Sequence, residues 1–196
     1  MVEIHPFVIL FAAIFTSNIL LTNYLGMCSF LSVSRDIKAS WGLGFAVIFV
    51  MTATTAINWL AYYYVLVPTG LEHFWYIIFI MIIAAFVQLV EIVIEKTSPV
   101  IYVNLGIFLP LITVNCAILG VSLFMIIRGY DFMQSVAYGF GGGVGWALAI
   151  IAMAGIRQKI KRSKVPAPLQ GAGIALIIAG IMAFAFIGFS GMIQVQ

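Results

Sequence analysis

The chain has two cysteines, Cys28 and Cys116, and they stand in matching surroundings. Residues 23–34 read NYLGMCSFLSVS and residues 111–122 read LITVNCAILGVS. Aligning the cysteines superposes Leu31 on Leu119, Val33 on Val121 and Ser34 on Ser122. A free cysteine in an apolar segment ordinarily serves as a small hydrophobe. Two in equivalent positions suit a disulfide or shared metal ligation better. A disulfide adds little to a helical bundle already held by packing, whereas thiolates are soft ligands for iron–sulfur clusters.

The elements that must position these thiols belong in a bilayer. Of 196 residues, 64% are apolar and only 8% charged, and the mean hydropathy is +1.20. A hydrocarbon core about 30 Å thick needs roughly 20 apolar residues of helix. Six runs qualify, at about 6–32, 41–67, 74–95, 100–127, 133–156 and 171–193. They lack the period-2 alternation of barrel strands. The first carries no basic leader or A-x-A-like cleavage site, so it is expected to remain in the mature protein. The fold class is therefore an all-α integral membrane protein of six transmembrane helices, one domain over residues 1–196.

Charge sets the orientation. Arg35 and Lys38, then Lys96, then Arg157, Lys159, Lys161, Arg162 and Lys164 fall in links on one side, and Arg128 alone on the other. By the positive-inside rule the first side is cytoplasmic and both termini face outward. The net charge of +3 thus reflects topology, with no nucleic-acid partner implied. The basic loop RQKIKRSKVPAP serves as a topogenic signal or meets anionic membrane lipid, and Pro166 and Pro168 stop the helix before it.

The cysteine alignment also pairs helix one with four, two with five and three with six. Each half, about 1–96 and 97–196, then holds three helices. Because three is odd, the second half enters from the opposite side, and the halves form inverted repeats. The uncharged spans 4–34 and 97–127 are each longer than one crossing needs, and both contain Asn and Gly, with Pro110 in the second. The first and fourth helices are accordingly expected to be broken, with the turns buried at an assembly centre; the other reading is that their Asn and Gly residues mediate tight packing. A cluster normally takes four ligands. His5 and His73 fall near the outward face, so a second membrane subunit must supply the missing pair.

YLGMCSFLSVS, LGIFLPLITVNCAILG, SVAYGFGGGVGWALAI and GFSGM resemble the E-type subunit of the sodium-translocating NADH:quinone oxidoreductase family and, nearly as closely, the A-type subunit of the Rnf ferredoxin:NAD complex. Met27, Leu31, Trp146 and Gly155 lean toward the quinone reductase branch, KTSPV and VPAP toward Rnf. The resemblance spans the chain. It implies pairing with a homologous membrane subunit of opposite topology that supplies two more cysteines. Cys28 and Cys116 would then share a [2Fe–2S] cluster with that partner and relay electrons between flavin-bearing subunits of an inner-membrane ion pump.

Gly26, Met27, Thr113 and Asn115 are the expected cluster surroundings. Glu91, near the end of the third helix, either snorkels to the interface beside Lys96 or forms a cation entrance. GFGGGVG at 139–145 follows no strand and is no dinucleotide motif; its glycines suit close helix contact or approach to the cluster. No catalytic nucleophile with a His or carboxylate partner is evident in the bilayer segments, so no complete active site is expected on this chain. A self-contained secondary transporter also fits an inverted repeat, but would place a polar substrate cage at midplane.

Overall fold

The computed structural model describes residues 5–97, 109–161, 166 and 170–188. Among them every regular element is helical. Helix α1, Pro6–Phe11, begins on a proline, which suits the first turn because no N–H is needed there, and widens into a π-helical turn, Ala12–Thr16. Ten non-helical residues follow before α2, Met27–Val33. Helix α3, Ile37–Ala61, starts where the Asp36 carboxylate accepts from the Lys38 amide. Its path continues to Thr69 through a second π-helical turn just ahead of Pro68, whose missing N–H breaks the ladder, and stops at Gly70 with φ +68°.

Helix α4 spans Trp75–Thr97 and α5 is the single turn Leu109–Thr113. After Val114 and Asn115 comes α6, Cys116–Ile127. Helix α7, Phe132–Ile160, opens with a capping box between Asp131 and Gln134, and α8 covers Ala172–Ile187.

Among the described residues four helical stretches are long and apolar enough to cross a membrane: Ile37–Thr69, Trp75–Lys96, Pro110–Ile127 and Phe132–Ile160. Pro6–Thr16 and Ala172–Ile187 are shorter. The first is short because the chain breaks after Thr16, while residues 189–196 lie outside the described set, as do 98–108 with Gly106. The basic residues Arg162 and Lys164, and Pro168, also fall outside it.

The core is organised around α7, which packs most extensively on α3 and also on α1. Its glycines make this possible. A Cβ at Gly143 would lie 2.9 Å from the Ile48 Cα of α3, and one at Gly141 would lie 2.8 Å from the Leu10 carbonyl of α1. Residues two apart point to different neighbours on a helix, so one Gly-rich stretch admits two backbones at once. Helix α6 packs in turn on α3. By contrast α4 leaves Ile77, Ile80, Met81, Leu89 and Ile92 exposed, an apolar face suited to a neighbouring protein or to lipid.

A cysteine pair at the meeting point of two broken helices

Both cysteines stand at helix starts. Cys116 is the first residue of α6, and Cys28 is the second of α2. The Asn115 side chain caps α6 by accepting from the Ala117 amide at 3.0 Å. Such a cap is what an asparagine inside an apolar run supplies: a helix can begin at membrane depth without leaving that N–H unpaired. Gly26 precedes α2 with φ +86°, a left-handed conformation that glycine adopts without strain, and Tyr24 two residues earlier is also left-handed at φ +56°.

The two breaks touch. The Gly26 amide donates to the Cys116 sulfur at 2.9 Å, joining positions 90 residues apart. From this junction the half-helices diverge. Helix α2 advances about 8 Å from Cys28 to Val33, and α6 about 17 Å from Cys116 to Ile127, at ~1.5 Å per residue. Beyond α2, the Arg35 carbonyl accepts from Lys161 at the C-terminal end of α7. Beyond α6, the Arg128 guanidinium lies over Tyr138, near the N-terminal end of α7. The cysteines therefore sit between the two ends of the bundle.

Both thiols are exposed and unpaired by any disulfide. Around them Tyr24 and Val114 are exposed too, Val114 at 70%. The inner side of the junction is closed. A Cβ at Gly26 would stand 2.6 Å from Trp146 Nε1 and 2.9 Å from Asn115 Oδ1. Trp146 is fully buried, Asn115 nearly so, and Trp146 Nε1 and Asn115 Nδ2 have no hydrogen-bond partner among the described residues. Unpaired buried donors are costly, and here two belong to residues packed around Gly26, whose amide bonds the Cys116 sulfur. No third His, Cys, Asp or Glu among the described residues joins the thiols in a metal-binding group.

Asn18 locks the first break from within. It is fully buried, donates to the Gly145 carbonyl at 2.8 Å and accepts from the Leu20 and Leu21 amides. Of the other residues singled out from sequence, Met27 and Thr113 are half-buried at the junction's edges, at the start of α2 and the end of α5. Glu91 is half-buried on α4, a separate element, and His5 and His73 are exposed. Sequence reasoning missed the burial of Arg157, which donates to the Leu31 carbonyl and the Ser34 hydroxyl, both at 2.8 Å. Its signal was its place within an otherwise apolar 3.6-residue period, four residues after Met153, which is itself buried.

These features define a multi-pass helical membrane protein whose two cysteines stand at the starts of two short helices. The chain belongs to the Rnf-Nqr family, whose model, described as "Rnf-Nqr subunit, membrane protein", matches residues 7–193. It is 49% identical over 200 residues to the E-type subunit of a Na(+)-translocating NADH-quinone reductase from Marinobacter nauticus, covering 96% of this chain and 98% of the relative. Similarity to the protein of the same name in Maridesulfovibrio salexigens is 51% over 190 residues, 92% and 94% of the two chains. The A-type subunit of an ion-translocating oxidoreductase complex from Syntrophotalea carbinolica is 46% identical over 185 residues, 94% and 96%.

Proposed function

We propose that this chain is a membrane subunit of a redox-driven ion-translocating complex of the inner membrane, and that Cys28 and Cys116 are two of four ligands to an intramembrane [2Fe–2S] cluster. The carrying observation is the Gly26–Cys116 contact, which brings two cysteine-bearing helix starts together with both sulfurs exposed. Two thiols leave half the usual ligand set unfilled. A homologous subunit of opposite topology supplies the other pair, placing the cluster at the interface between the two chains. When bound, the cluster supplies one-electron transfer between flavin-bearing subunits.

The residues of this chain prepare that role in distinct ways. Gly26 donates its amide to the Cys116 sulfur, a contact that a metal-bound sulfur would keep. Cys116 also stands in the first turn of α6, where the helix dipole favours negative charge. Trp146 and Asn115 hold further N–H donors behind the junction, where sulfur acceptors would satisfy them. Buried packing of α7 against α1 excludes water from the inner side.

The same proposal takes the fold as six crossings in two inverted three-helix repeats, about 1–96 and 97–196, with both termini outside. Supporting it, both cysteine-bearing segments are interrupted, and each packs against the long helix of the other half: α1 on α7, and α6 on α3. The quinone reductase branch is preferred on the identities of about 50% to E-type subunits, with Na+ as the cation moved. A stand-alone transporter would have no use for two exposed thiols at membrane depth.

Cys28→Ala and Cys116→Ala in the purified complex test the ligand assignment. Each is expected to remove the electron-paramagnetic-resonance signal and about two iron atoms per complex, the content of one such cluster. Oxidation of NADH with an artificial acceptor should persist while quinone reduction is lost. Full iron content with normal quinone reduction in either variant refutes it.

A further inference from the structure

At the end of the bundle where α7 finishes and α8 begins, Arg35, Arg157, Ile160, Lys161, Gln170, Gly171 and Ile174 line an open cavity of about 360 Å³. Three of these residues are cations and none is acidic. Arg35 and Arg157 both line the cavity, and no lining residue carries a carboxylate to compensate them. The nearest carboxylate in sequence, Asp36, is engaged in capping α3. Arg157 spends Nη1 on the Leu31 carbonyl and the Ser34 hydroxyl. Those two bonds fix its guanidinium, while Nε and Nη2 take no partner among the described residues. Lys161 is tethered at the rim by its bond to the Arg35 carbonyl at 3.2 Å.

Helix α8 contributes the opposite wall with its N-terminal turn. Its preceding residue, Gly171, supplies no side-chain cap, and among the described residues no side chain caps this 16-residue helix. The fixed guanidinium, the tethered ammonium and the N-terminal turn of α8 border one volume, while Ile160 and Ile174 provide apolar walls beside them. That combination matches a tetrahedral oxyanion attached to, or lying against, hydrocarbon.

We propose that this cavity binds a phosphate group, carried by the headgroup of an anionic membrane lipid or present as free phosphate. The proposal does not rest on the redox reading.

The test uses the chain in its native assembly, purified and placed in nanodiscs of phosphatidylcholine with a minor fraction of labelled phosphatidylglycerol. Retained phosphatidylglycerol is measured by native mass spectrometry, with and without millimolar inorganic phosphate. Arg35→Gln/Lys161→Gln alters two exposed side chains and should weaken retention roughly tenfold or more, the order expected for removing two interfacial cations. Lys161→Gln alone, the milder change, should give an intermediate loss. Lys38→Gln/Lys96→Gln removes equal charge away from the cavity and should change nothing.

Retention that phosphate leaves intact identifies the lipid as source. Retention that phosphate displaces identifies free phosphate. Equal retention in wild type and in Arg35→Gln/Lys161→Gln, or an equal loss in Lys38→Gln/Lys96→Gln, overturns the proposal.

Discussion

Asn58 of α3 donates its side-chain amide to the Ser122 hydroxyl of α6 at 2.9 Å, with both residues fully buried. Ser34, which the cysteine alignment superposes on Ser122, is likewise bound by a long helix, through Arg157 of α7 at 2.8 Å. Each serine thus ties a cysteine-bearing half-helix to a long helix from the other part of the sequence. The recurring Ser therefore has a mechanical reason. It closes a polar contact at the same interval past each cysteine, where an apolar residue would leave the partner's donor unpaired.

Asn18 should be as important to the junction as its distance from the thiols makes it inconspicuous. Asn18→Ala removes the acceptor of two buried amides and a donor to α7, at a cost of about 1–3 kcal/mol. The expected result is a lower thermal midpoint together with reduced iron content, read by thermal scanning and iron assay of the purified complex. An unchanged midpoint would mean that the break between α1 and α2 is held from elsewhere.

Glu91 lies six residues before the end of α4, beside exposed Leu89, Ile92 and Val93. As a cation entrance its carboxylate, worth about 1 kcal/mol to a cation 4 Å away in water, should lower the half-saturating cation concentration by about fivefold. Glu91→Gln should raise that concentration accordingly, measured as turnover against Na+, and leave the cluster spectrum intact. Unaltered cation dependence would assign Glu91 to snorkelling at the interface.

The orientation drawn from charge places Lys161, Arg35 and Arg157 on the cytoplasmic side. The bond between Lys161 and the Arg35 carbonyl puts two of the basic links at one end, as a common side requires. Lys161→Cys should react with an impermeant thiol reagent in inside-out vesicles and stay silent in intact cells. Labelling in intact cells would invert the topology.

The helix breaks around the cysteines were legible because membrane depth makes polar and glycine residues conspicuous. Asn115 and Gly26 stand out within apolar runs too long for one crossing, and both lie at helix breaks. The close helix contact expected of GFGGGVG is found at Gly141 and Gly143. Arg157 groups with the loop charges in the sequence because position along the chain says nothing of rotation about the helix, and its inward direction depends on where the Ser34 hydroxyl arrives. The contact between Gly26 and Cys116 is also beyond local reading. Pairing across 90 residues is set by how α1, α3 and α7 pack, and no local propensity encodes it.

The most direct test of a shared cluster is the reactivity of the two thiols themselves. The intact, iron-loaded complex would be treated with a small membrane-permeant alkylating agent, before and after oxidative removal of iron by a chelator. Peptide mass spectrometry would quantify modification of Cys28 and Cys116. Ligated thiolates should be protected together in the loaded complex and become reactive together once iron is removed, in step with loss of the spectroscopic signal. Alkylation of either cysteine in the loaded complex, with the signal and iron content undiminished, would contradict their role as ligands.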